Sequence, residues 1–189
     1  MQTYCIILAA GNSNRFDKKE DKLFTSLYGS ELIRYTLTNI LKVFDKKKVF
    51  IVVNKKISKK HELLLKNYTS NCLIHGGKTR LNSFKNALTV FKRDANILIH
   101  DAARPNTSIA LIRKIKREIE KQNIFSVIPY NTISDTLKIN KSSKYISTIR
   151  EKFITTQTPQ AIKYDNKIRK IISNAEPFVT DESSLFDKI

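Results

Sequence analysis

A chain of 189 residues with 41% hydrophobic side chains is long enough to bury the core of one domain, and its longest apolar runs, residues 5–10 and 49–53, are far too short to cross a bilayer. No signal-peptide pattern opens the chain, and Cys5 and Cys72 sit in apolar runs without Cys or His at ligand spacing; a cytoplasmic protein with two small core thiols is expected, which disfavours a disulfide framework or zinc site. The net charge of +18 admits a nucleic-acid partner, but the lysines are spread along the chain, and the clusters Lys46-Lys47-Lys48 and Lys55-Lys56 lack the interleaved aromatics of a single-strand-binding platform.

Short apolar runs alternate with segments of helical period, the pattern of an α/β fold with a mainly parallel sheet. The first predicted strand, residues 4–9, runs into the loop Leu8-Ala9-Ala10-Gly11-Asn12-Ser13-Asn14-Arg15. Ala9, Ala10 and Gly11 let a ligand approach the backbone closely, and Asn12 and Ser13 offer donors, so the turn can hold phosphate oxygens. It matches neither the Lys-Ser/Thr phosphate loop nor the three-glycine dinucleotide fingerprint, and a tight strand-to-helix connection would look the same. Arg15 and Lys22 follow in a polar stretch; both can fold over the same phosphates or remain solvated surface charges.

Further strands are expected at residues 49–54 and 72–75. The second leads into Gly76-Gly77-Lys78-Thr79-Arg80, where a glycine pair can lie flat against a ring or ribose, and then into a helix with Ser83 one turn in and Leu81, Phe84, Leu88 and Phe91 on its buried face. A strand at 96–100 ends in His100-Asp101-Ala102-Ala103-Arg104-Pro105. That places an acid and a guanidinium at the carboxyl edge of the sheet, where open α/β sheets bind ligands. Asp101 there can serve a ribose, a metal-bound water or an acceptor hydroxyl, Arg104 suits phosphate, and the two can also form a structural pair.

Ser108 is placed to cap a helix with the stripe Leu111, Ile112, Ile115 and Ile119. After a strand at 125–129, the extended segments 136–139 and 145–149 flank the polar turn Asn140-Lys141-Ser142-Ser143-Lys144. This reads as a β-hairpin that either packs on a loop or projects toward a partner subunit. Asp135-Thr136 opens it, Arg150 follows it, and Gln157-Thr158-Pro159-Gln160 forms a rigid turn before a last helix with Ile168, Ile171, Ile172 and Ala175 on one face. His61 and His75 lack partners at useful spacing, and no nucleophile-base arrangement is visible.

Taken in order, Ala9-Ala10-Gly11 to Arg15, Lys22, Gly76-Gly77 with Arg80 and Ser83, His100 to Pro105, Asp135-Thr136, Thr158-Pro159-Gln160 and Thr180-Asp181-Glu182 resemble the 2-C-methyl-D-erythritol 4-phosphate cytidylyltransferases across nearly the whole chain. The resemblance implies a Rossmann-like nucleotidyltransferase fold in one domain, residues 1–189, with a projecting hairpin arm at about residues 132–154. It further implies a homodimer through exchanged arms, and transfer of the cytidylyl group of CTP to methylerythritol phosphate with Mg2+ bound alongside CTP, its ligands unassigned. By the same resemblance Arg15 and Lys22 are the catalytic cations. Ala9, Ala10, Gly11, Asn12, Ser13, Gly77 and Ser83 hold CTP, while Asp101, Arg104 and Thr158 face the acceptor, with Thr136 and Arg150 reaching it from the other subunit's arm.

The sequence departs from that family at Asn12, Ser13 and Asn14, where its loop is richer in glycine, and at Lys78, where acidic residues are common. The family's fold continues past the point matching Ile189 with a further strand, a helix and an acceptor-binding lysine, so that part of it is expected to be absent or to lie beyond this sequence, as is any fused cyclodiphosphate synthase. A pentitol phosphate cytidylyltransferase would carry nearly the same motifs. A basic nucleic-acid-binding protein on the same fold is the reading from another class.

Overall fold

The computed structural model describes residues 1–11 and 21–174; Asn12, Ser13, Asn14 and Arg15, like Ala175 and Thr180-Asp181-Glu182, lie outside the described residues. In chain order the elements are β1 (Thr3–Ala9), a 3₁₀ turn (Lys22–Phe24), β2 (Ser26–Leu27), β3 (Ser30–Glu31), α1 (Leu32–Leu41), β4 (Val49–Val53), α2 (Lys59–Lys66), β5 (Ile74–His75) and α3 (Arg80–Leu88). They continue with β6 (Ala95–Asp101), α4 (Ile109–Ile119), β7 (Ser126–Val127), β8 (Tyr130–Thr132), β9 (Lys138–Lys141), β10 (Lys144–Ser147), β11 (Ile154–Thr156), β12 (Gln160–Tyr164) and α5 (Asn166–Ser173).

Six strands form the central sheet in the order β5-β4-β1-β6-β12-β7. The first four are mutually parallel, and β12 and β7 complete the sheet antiparallel to their neighbours. Alternation along β1 sends Cys5, Ile7 and Ala9 into one core with α1, α2 and α4, and Ile6 into another with α3. The sheet is therefore covered on both faces, which is why β1, β4 and β6 read as continuous apolar runs in the sequence.

Side-chain caps fix where four helices begin: Ser58 Oγ accepts from His61 N at 3.3 Å, Ser108 Oγ from Leu111 N at 3.2 Å, Thr79 Oγ1 from Asn82 N at 3.0 Å and Asp165 Oδ1 from Ile168 N at 2.9 Å. Each such cap stabilises its helix by about 1 kcal/mol. The buried stripes fall where the periodicity put them, with Ile112, Ile115 and Ile119 on α4 and Ile168 and Ile172 on α5.

Several expectations need correction. The strand expected at 72–75 is reduced to Ile74–His75, and Cys72 is exposed, while Cys5 is fully buried, its thiol pKa pushed up by burial. Only Ser126–Val127 of residues 125–129 pairs in the sheet. The hairpin is present but shifted, pairing Lys138–Lys141 with Lys144–Ser147; its turn is made by Ser142 and Ser143, both with positive φ, so Thr136 precedes the strand. Below it β8 and β11 pair as a stem. Neither α1 nor β12 was anticipated. No helix among the described residues is long and apolar enough to cross a membrane.

Candidate active site

The chain passes from β1 to β4 and β5 on one side, then returns to place β6 on the other side of β1, so the strand order reverses beside β1. Ligands of open α/β sheets bind at the carboxyl ends of strands at such a reversal. Register sets Leu8 opposite Asp101, and Ala102 N donates to Leu8 O at 3.0 Å. The carboxyl end of β1 and the Asp101-Arg104 turn are thereby held side by side.

From the other flank, Gly76 N donates to Val53 O at 2.9 Å and brings the glycine pair against the opening loop. A Cβ on Gly76 would stand 2.4 Å from Ala10 Cβ and 2.8 Å from Ser83 Oγ, and one on Gly77 would stand 2.4 Å from Asn82 Cβ. Ser83 is buried, and its hydroxyl donates to Thr79 O at 3.0 Å while accepting from Gly77 N at 3.1 Å. Ser83 thus shapes the Gly77 turn. Gly76→Ala is expected to destabilise the fold by about 1–3 kcal/mol through overpacking. A thermal midpoint several degrees lower should accompany weaker CTP binding in calorimetry.

Asp101 stands between two guanidiniums. Its Oδ1 accepts from Arg80 Nε at 3.3 Å and Nη2 at 3.1 Å, and its Oδ2 from Arg104 Nε at 3.1 Å. Arg104 Nη1 also donates to Gln157 Oε1. The structural Asp101-Arg104 pair therefore exists, within a cluster that Arg80 joins from α3. Sequence reasoning quoted Arg80, His100 and Gln157 within motifs but gave them no role of their own, and it missed the helix that secures this turn. From α1, Thr36 Oγ1 donates to Ala102 O at 2.9 Å and Asn39 Nδ2 to Thr107 O at 3.2 Å. The α1 stripe of Ile33, Leu37 and Ile40 is the signal that would have found it.

Thr158 is buried, and its Oγ1 accepts from Asp101 N at 3.3 Å and lies 2.9 Å from His100 Nδ1. His100 is itself buried, and desolvation lowers its pKa to about 4 despite the opposing pull of Asp101. The unfolded chain, with the ordinary histidine value of 6.5, then binds more protons than the folded one as pH falls from 6.5 to 4. Stability therefore rises with pH through that window, and the ring is expected to cost about 3 kcal/mol at pH 4 relative to pH 7. Urea midpoints of wild type and His100→Asn across that range check it: the variant should show the shallower loss.

A pocket of about 560 Å³ opens beside these groups, lined among others by Arg104, Ser108, Tyr130, Gln157 and Thr158. The structure thus gathers Ala9, Ala10, Gly11, Gly77, Ser83, Asp101, Arg104 and Thr158 around neighbouring strand ends. Lys22 begins the 3₁₀ turn after the opening loop, pinned by buried Leu23 and by Leu23 N donating to Asp21 Oδ1 at 3.1 Å. Thr136 and Arg150 stand apart on the arm, both exposed, with Arg150 donating to Ser134 O and to Glu151 Oε1. Among the described residues no three His, Cys, Asp or Glu side chains gather as a metal group. The arrangement offers backbone surface and the half-exposed Arg104 guanidinium to a phosphate-bearing ligand. Thr158 and His100 do not make a nucleophile-base dyad, since both are buried.

The family model described as IspD, 2-C-methyl-D-erythritol 4-phosphate cytidylyltransferase, matches residues 3–189. The chain is 38% identical over 191 residues to the bifunctional enzyme IspD/IspF of Pelagibacter ubique, a match that covers 98% of this chain and 49% of that protein. It is 31% identical over 195 residues to the 2-C-methyl-D-erythritol 4-phosphate cytidylyltransferase of Thermosipho melanesiensis, covering 95% of this chain and 82% of that one. The crystal structure of 4-diphosphocytidyl-2C-methyl-D-erythritol synthase from Anaerococcus prevotii superposes with a TM-score of 0.79 at 25% identity, covering 98% of this chain and 81% of that one. The chain therefore spans about half the length of the bifunctional relative and about four fifths of the shorter ones.

Proposed function

This chain belongs to the 2-C-methyl-D-erythritol 4-phosphate cytidylyltransferase family, and on that premise we propose that it transfers the cytidylyl group of CTP to 2-C-methyl-D-erythritol 4-phosphate in the cytoplasm, releasing pyrophosphate. The observation that supports this most is the register that sets Leu8 opposite Asp101, because it lays the carboxyl end of β1, with Ala9 and Ala10, beside the Arg80-Asp101-Arg104 cluster. Residues 9–11 with Gly77 and Ser83 take the nucleotide, and Asp101, Arg104 and Thr158 take the acceptor. Asn12, Ser13 and Arg15 join the nucleotide side by family resemblance.

The chemistry asks little of the protein beyond alignment and charge. The acceptor's phosphate has a second pKa of about 6 and is largely a dianion at pH 7, so one of its oxygens attacks the α-phosphorus without a general base. The P–O bond to pyrophosphate breaks in line, and Lys22 and Arg15 meet the charge that grows on the equatorial and leaving oxygens. Magnesium is proposed as a companion of CTP, carried mainly on triphosphate oxygens. The described residues offer no carboxylate cluster for it, and Asp101 is already engaged by Arg80 and Arg104.

A homodimer completes the reading. The arm, at about residues 132–154 of a single nucleotidyltransferase domain, leaves Tyr145 69%, Ile146 52% and Ile149 58% exposed, an apolar load that a monomer in water does not favour. A second subunit covering the arms would bury it and bring Thr136 and Arg150 to the acceptor. Pyrophosphate release from CTP with methylerythritol phosphate, compared with a pentitol phosphate, tests the function. Release with the former alone is expected. Absence of release with either by the full-length protein, together with RNA binding of steep salt dependence, would overturn it.

A further inference from the structure

The turn that carries Lys22 is held by a contact that the reaction as described does not use. The rings of Phe24 and His61 lie face to face, their centroids 3.6 Å apart and their planes within 3° of parallel. Phe24 ends the 3₁₀ turn, and His61 stands in the first turn of α2. Local spacing left His61 without a partner, and the fold supplies one. The helix in turn holds the histidine backbone: His61 N donates to Ser58 Oγ at 3.3 Å, Glu62 N donates to Ser58 O at 2.9 Å, and Leu64 and Leu65 are buried in the core that α2 shares with α1 and α4.

A 3₁₀ helix completes a revolution in three residues, so the side chains of Lys22, Leu23 and Phe24 leave the turn about 120° apart. Leu23 is sunk in the core, and Phe24 packs on the edge of that same core while giving one face to His61. Two further bonds, Leu23 N to Asp21 Oδ1 at 3.1 Å and Phe24 N to Asp21 O at 2.8 Å, close the turn upon itself without choosing which way it faces. A single buried side chain is a pivot. A second one clamped flat stops rotation about that pivot, and the third direction, that of Lys22, is then set.

We propose that His61 is a positioning residue for cytidylyl transfer: its ring, stacked on Phe24, holds the 3₁₀ turn in the orientation from which Lys22 meets the triphosphate. The inference rests on the reading of Lys22 as a catalytic cation. The His61 ring is assigned no contact with substrate and no proton to move. A misplacement of about 1 Å can cost up to about 10²-fold in rate, but an aromatic pair favours the held orientation only by a factor of about 2–10, and that factor bounds the loss.

With the full-length protein, His61→Ala is expected to lower kcat about 2–10-fold while the KM values for CTP and acceptor stay within about 2-fold. His61→Phe keeps a ring over Phe24 and should return kcat to near the wild-type value, whereas His61→Gln, polar but without a ring, should not. Phe24→Leu should reproduce the His61→Ala defect, and the double variant should add little to it. Amide hydrogen exchange, which needs no turnover, should quicken at Phe24 and Thr25 in His61→Ala and recover in His61→Phe. Unchanged exchange in His61→Ala would overturn the proposal, as would equal kcat losses in His61→Ala and His61→Phe, or a wild-type kcat in His61→Ala beside a damaged Lys22→Ala. Quickened exchange with kcat intact in Lys22→Ala would instead strike the catalytic reading of Lys22.

Discussion

Lys22→Ala is expected to lower kcat for cytidylyl transfer about 10²–10³-fold while the CTP KM stays within about 3-fold of wild type. The side chain starts a 3₁₀ turn whose position is set by buried Leu23 and by the Asp21 cap, so the ammonium is carried on a fixed support. A fixed cation stabilises charge that develops during the reaction more than charge already spread over the ground-state triphosphate. Removing it therefore takes stabilisation mainly from the transition state. Arg15→Ala should show the same split. A raised CTP KM with kcat intact would make both residues substrate clamps, and steady-state kinetics with single-turnover confirmation distinguishes the two.

Mixing two dead enzymes should produce a live one. Arg150→Ala and Arg15→Ala are each expected to be nearly inactive as homodimers, since under the proposed reading one would lack the arm's acceptor contact and the other a catalytic cation. In a heterodimer with exchanged arms, one site receives both lesions and the other receives neither, so about half of the wild-type turnover per dimer should return. Tagged co-expression and tandem purification isolate that species. Purified heterodimers with no recovered activity would show that each arm serves its own subunit. Arg150 already donates to Ser134 O in the arm, so Arg150→Ala also removes a contact that shapes the arm, and Arg150→Lys, which keeps a charge and a donor, should lose less.

What the sequence made legible follows from burial. β1, β4 and β6 are covered on both faces and announce themselves as apolar runs, and α3, α4 and α5 show stripes of helical period. β12 gives no such signal, because Gln160 and Lys163 interrupt it, yet it lies inside the sheet between β6 and β7. The hairpin was readable but its register was not: two serines in the left-handed region make the turn, while Asn140, the better candidate from composition, pairs with Tyr145. Cys72 misled because an apolar neighbour, Leu73, made an exposed position look like a strand.

Within the site, residues contiguous with glycine or proline were visible as motifs, and residues chosen by tertiary register were not. That Arg80 would meet Asp101 depends on α3 crossing beside β6, and that Thr158 would meet His100 depends on β12 folding back along it. Neither separation is written in local spacing. Asp101 and Arg104 were found for their charge and place; Arg80, equally close to Asp101, lacked a local reason to stand out from 35 basic residues.

The arm leaves the sheet after β7 and returns at β12, and those two strands are hydrogen-bonded neighbours. Its stem is zipped by β8 and β11, with Gln157 N donating to Pro129 O at 2.8 Å where the two ends meet. A segment whose ends meet in this way behaves as a cassette: it can be lengthened, shortened or transplanted from another protein without re-registering the strands beneath it. If the arm does reach a neighbour's acceptor, the choice of acceptor is then partly a trait of a portable module, and chimaeras exchanging residues 130–156 would carry that preference from one scaffold to another.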